Sequence, residues 1–136
     1  MKRLFESIQD VLTGSPLEAI LTGSLHYDYA QQDAVVPYGV CFALETNDIS
    51  TFDATILDVT IQIQLYSDHA DPGEIFALQN ACIETFNGAT LHPTGRPDVI
   101  LRQLRITNPF RTGDDDERYW QSNIEFNCLY QQNERL

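Results

Sequence analysis

Positive charge is scarce in this chain: eight Lys and Arg stand against twenty Asp and Glu, a formal net charge of −12 at pH 7. Duplex nucleic acid is bound through clustered cations that displace phosphate counterions, so a direct nucleic-acid reader is not expected. An acidic surface keeps a chain soluble and repels passing polyanions. Cysteine is also sparse. Cys41, Cys82 and Cys128 are odd in number, far apart and without any CxxC or Cys/His spacing, which argues against zinc. Each falls on an apolar face, so buried reduced thiols are expected. No run of about 18 apolar residues occurs, so no membrane-spanning helix is expected. Met1-Lys2-Arg3 leads into an amphipathic segment with Glu6 and Asp10, unlike a secretory leader, and the chain reads as soluble and intracellular when made. Gly39, Gly73, Gly88 and Gly95 form no phosphate-cradling pattern, and no internal repeat is present.

What is present is the composition of a folded domain. The 136 residues are 43% hydrophobic and 21% charged, enough for one core in a single domain spanning 1–136. The strongest local pattern runs from Asp53 to Ser67. Leu57, Val59, Ile61, Ile63 and Leu65 alternate with Asp58, Thr60, Gln62 and Gln64, which predicts a strand with one apolar and one polar face. The polar face is mostly neutral amide and hydroxyl, suited to water or a partner protein rather than to substrate chemistry.

Around it, Leu4, Phe5, Ile8, Val11 and Leu12 predict an amphipathic helix over 2–13. Ser15-Pro16-Leu17-Glu18 reads as a fresh helix start with a capping box, closed at Gly23. A short strand is expected at His26 to Tyr29 and a better one at Val36 to Leu44, with Pro37 near its start or on an edge. The connector Asn47 to Thr51 predicts an antiparallel hairpin with the long strand. Asp71 and Pro72 open a helix whose face carries Ile75, Leu78, Cys82 and Phe86, widened by Phe76 and Ile83 and ended by Asn87-Gly88. Thr90 to Pro97 reads as loop. Asp98 to Thr107 reads as a strand with Ile100, Leu104 and Ile106 on one face. A last strand runs from about Glu117 to Gln131, with Trp120, Ile124, Phe126, Cys128 and Tyr130 opposite Tyr119, Gln121, Asn123, Glu125 and Asn127. This order predicts an α+β domain: a mainly antiparallel sheet of four to five strands with helices packed on one face.

Candidate chemistry is thin. His26, Asp28, His69, Asp71 and His92 are the raw material for a hydrolytic or metal site, but no motif places them together. The turn Thr112 to Glu117 is acidic yet lacks the ligand spacing of a calcium loop. Arg96, Arg102, Arg105 and Arg111 are scattered along one strand and its flanks, and read as partners for acids, including acids of an adjacent subunit. No catalytic, cofactor or metal residue is assigned.

The Pro37-Tyr38 strand, the long alternating strand, the helix before Gly88 and the two N-terminal helices together resemble the tail-completion, or tail terminator, proteins of long-tailed bacteriophages and prophages. The resemblance implies a homohexameric ring that caps the tail tube, stops its polymerisation and joins it to the head-side connector. It implies tail tube and head-tail connector proteins as partners, DNA only as cargo through the ring, no membrane, no cofactor, and residence in the virion after assembly in the host cytoplasm. Another neck or head-closure protein and a monomeric binding module are the alternatives. The candidate assembly interface comprises Thr60, Gln62, Gln64, Arg102, Arg105, Arg111, Gln121 and Asn123.

Overall fold

The alternating run does become the centre of a sheet. In a computed structural model, which describes residues 2–30, 34–112 and 119–131, it forms β3 (Ile56–Ser67). Its inward residues Val59, Ile61, Ile63 and Leu65 are all buried. On one side β3 pairs antiparallel with β2 (Tyr38–Asp48), and on the other with β7 (Tyr119–Gln131). The edges are β1 (Leu25–Tyr27), parallel to β2, and β6 (Arg102–Thr112), antiparallel to β7, giving the order β1-β2-β3-β7-β6. The domain is α+β, as expected.

The helices lie on the face that carries the alternating apolar residues. In α1 (Lys2–Leu12), Leu4, Ile8 and Leu12 are buried, and in α3 (Gly73–Phe86) so are Ile75, Leu78, Cys82 and Phe86. These join Ile61, Ile63, Phe126 and Tyr130 in one core. Burying such side chains contributes about 1.5–3 kcal/mol each. Two polar links align α3 with the sheet. Ser67 Oγ donates to Glu74 Oε1 (2.6 Å), and Ser122 Oγ donates to the buried Gln79 Oε1 (2.9 Å). All three cysteines are buried free thiols, as expected.

Helix ends follow their capping chemistry with small shifts. Ser15 caps α2 (Pro16–Ile20) by accepting from the Glu18 amide, but the Glu18 carboxylate reaches the amide of Gly14 rather than that of Ser15. At α3 the capping position is Pro72, one residue beyond the expected Asp71, whose Oδ1 accepts from the Gly73 amide. Gly23 does not close α2, which ends at Ile20 with Leu21 as its cap. A Cβ on Gly23 would fall 1.5 Å from the Val35 carbonyl oxygen, so the glycine permits two backbones to touch.

The expected strand from Asp98 to Thr107 is the main correction. Val99–Ile100 forms β5 and pairs with β4 (Thr90–Leu91), at the start of the segment read as loop, in a separate two-stranded sheet. Val99 and Leu101 point inward, whereas Ile100 and Leu104 are exposed. The reason is a bulge. Gln103 pairs with Phe126 and Arg105 with Glu125, so Leu104 is an extra residue pushed out of register, and Ile106 returns to the core side opposite Ile124. Leu44 is displaced in the same way between Ala43 and Glu45 of β2. Strand β3 also starts later than expected, at Ile56, β2 runs on to Asp48, and Phe76 of α3 is exposed.

Candidate assembly surface

Residues paired across a sheet share a face, so the register places the polar side chains together. Tyr66, Gln64, Gln62 and Thr60 of β3 lie opposite Gln121, Asn123, Glu125 and Asn127 of β7. Among the described residues no helix lies on this side. Gln64 Nε2 donates to Gln62 Oε1, and the Tyr66 hydroxyl donates to Gln64 Oε1, both at 2.9 Å. Gln121 Nε2 donates to Asn123 Oδ1 (2.8 Å), and Asn127 Nδ2 donates to Asp58 Oδ1 (2.6 Å). Toward β1 the row continues in aromatic rings: Tyr66 stacks on Tyr38 at 5.0 Å, and His26 meets Tyr38 edge-on at 5.8 Å. Burial pushes the Tyr38 and Tyr66 hydroxyls above their ordinary pKa, so both remain neutral donors.

The five neutral residues expected at an interface, Thr60, Gln62, Gln64, Gln121 and Asn123, are therefore one contiguous ladder. The arginines divide. Arg102 and Arg105 lie opposite Asn127 and Glu125 on the same face, and both are exposed without an ion pair among the described residues. Arg111 pairs with Trp120 on the other face, its guanidinium 5.0 Å from the indole centroid, a cation–π contact. A second bulge, between Thr107 and Phe110, separates it from the other two along β6.

The histidines do not converge. His26 Nε2 bonds the Gly23 carbonyl, His69 Nδ1 lies 3.3 Å from Asp71, and His92 Nδ1 lies 2.8 Å from Asp98, the last two pairs being exposed on different loops. No group of three or more His, Cys, Asp or Glu among the described residues is arranged to hold a metal. The acidic turn 113–117 lies outside the described residues. No helix of the described residues is long and apolar enough to cross a membrane.

A face built mostly of amides and hydroxyls, with Asp58, Glu125, Arg102 and Arg105 among them, is suited to binding a surface. The sequence matches the family "Tail completion protein gp17" over residues 6–131. The chain belongs to that family. This tail completion protein is thus a structural protein of a phage-type tail. Its fold is also that of a chain in the solved structure "Virion of native gene transfer agent (GTA) particle", with a TM-score of 0.73, 17% identity and 92% of each chain covered. A comparison with curated proteins returned no match. What sequence reasoning missed on this surface is the aromatic row and the bulged leucines, because both depend on which strands become neighbours.

Proposed function

We propose that this tail completion protein closes into a ring of identical subunits, a homohexamer, that caps the tail tube, ends its polymerisation and joins it to the head connector. The observation that carries the reading is the family match over residues 6–131, together with a broad, mostly uncharged polar sheet face on the side away from the helices, whose Thr60, Gln121 and Glu125 are already buried by their neighbours. Interface cores are depleted in charge, and hydrogen-bonding side chains held in a fixed ladder present that surface without a large ordering cost. Thr60, Gln62, Gln64, Gln121 and Asn123 form the neutral part of the contact surface, and Arg102 and Arg105 its cationic border. Arg111 shapes the sheet end through Trp120. The net charge of −12 suits a channel through which DNA passes as cargo without adhering. The ring resides in the tail or neck of the virion after assembly in the host cytoplasm.

The test is addition of the purified protein to growing tail tubes, read by sedimentation and electron microscopy. Tubes of fixed length capped at one end are expected. Tubes that grow on unchanged and carry no bound protein overturn the reading.

A further inference from the structure

Among the described residues eleven large hydrophobics are exposed, and four of them, Ile49, Phe52, Ile100 and Leu129, occupy two features toward one end of the sheet. The first is the β2–β3 hairpin end, where Ile49 and Phe52 are exposed, Phe52 fully at 103%. The second is a groove of about 410 Å³ lined by Asp98, Ile100, Arg102, Asn127, Cys128 and Leu129. Ile100 and Leu129 expose their side chains there.

The hairpin end is built to hold its shape. The Ile49 amide donates to the Ile56 carbonyl, the Thr51 amide to the Ala54 carbonyl, and the Ile56 amide to Ser50 Oγ. Asp48 Oδ1 accepts from both the amide and the hydroxyl of Ser50, which holds its carboxyl below the usual range and keeps it ionised. A rigid loop that leaves a phenylalanine wholly in water fits a contact anchor better than a core element. The charges are complementary as well. Exposed Asp48 adjoins the apolar tip, and Glu45 lies farther back on β2. Exposed Arg102 lines the groove and Arg105 follows it on β6, both arginines without an ion pair among the described residues, in a chain that is otherwise strongly acidic.

We infer that the β2–β3 hairpin end of one subunit, with Phe52 as its anchor, seats in the Ile100–Arg102–Leu129 groove of a second copy of this chain. Asp48 then lies nearest Arg102 across the contact, with Glu45 and Arg105 farther along their strands. Plug and socket are different surfaces of the same chain, so repeating the contact is head-to-tail and closes by rotation. The inference rests on the ring reading above and gives it a subunit contact. A second copy is favoured over a tube protein because both complementary halves are present on this one chain.

Cysteine trapping tests it. The variant F52C/L129C is bound to purified tail tubes, or concentrated without them, then oxidised and run on a non-reducing gel. A ladder of linked chains is expected, absent from the wild type and from F76C/L129C. Adding R102E/R105E, or E45K/D48K, should each reduce the ladder at least about tenfold, and mixing the two charge variants should restore it. Because Asp48 also orders the loop, F52S serves as a second variant at a fully exposed site, and it should lower tube-bound stoichiometry without lowering the melting temperature. Tubes that carry the F52C/L129C chain but yield only single chains overturn the hairpin-to-groove contact, with the ring reading intact and the hairpin assigned to another protein. A product that stops at linked pairs overturns the head-to-tail arrangement. A chain that neither binds tubes nor self-associates overturns the ring reading itself.

Discussion

At the scale of single residues, the tightest constraint is steric. A Gly23→Ala methyl would overlap the Val35 carbonyl, which is backbone and cannot swing aside. The variant should lose about 3 kcal/mol or more, read as a lower urea midpoint. Ser122→Ala removes the donor to Gln79 and should cost about 1–2 kcal/mol, because the buried amide oxygen loses its partner. The thiols set a pH limit. Burial pushes Cys128 up to about 12 and also raises Cys41 and Cys82 well above their ordinary value of 9.0. Above pH 9 the unfolded chain releases these protons while the folded chain retains them, so stability should fall as pH rises through roughly 9 to 12. Urea titrations at pH 8 and pH 11 check the sign. Below pH 9 a thiol reagent should label all three cysteines only after denaturant is added.

At the scale of elements, β3 has two faces with different consequences. Ile63 is buried in the core, so Ile63→Asp strands a charge there and should cost more than about 4 kcal/mol, enough to unfold the domain. Gln64→Lys, one residue along, reaches the polar ladder and should change stability by less than about 1 kcal/mol while weakening tube binding. Circular dichroism beside a tube-binding assay separates the two, and equal unfolding by both would refute the division of faces. This division was legible beforehand because the strand period of two is written into Leu57 to Leu65. The bulges were not. Leu104 and Ile106 share a face by counting alone, and the extra residue between Gln103 and Arg105 shows itself only against β7. The same limit misplaced Ile100, which belongs to a different sheet from Ile106.

At the scale of the whole molecule, the contrast between surface and core carries the functional reading. Helices cover one side of the sheet, the neutral ladder occupies the other, and apolar residues exposed at one end adjoin two exposed arginines. If the sheet face and the hairpin end serve assembly, F52S and Gln64→Lys should act at separable sites. Their effects on tube binding should add to within about 0.5 kcal/mol, unless the two surfaces meet across one contact. Titrating tubes with the single and double variants measures this. Strand periodicity, the Ser15 cap, buried thiols and the acidic balance were readable along the chain, because each depends on residues within a few positions of one another or on composition. The parallel pairing of β1 with β2, the split of Arg111 from Arg102 and Arg105, and the meeting of Ile100 with Leu129 were not. They join residues whose proximity depends on strand order and bulges, and no local pattern encodes which distant segment will supply the neighbour.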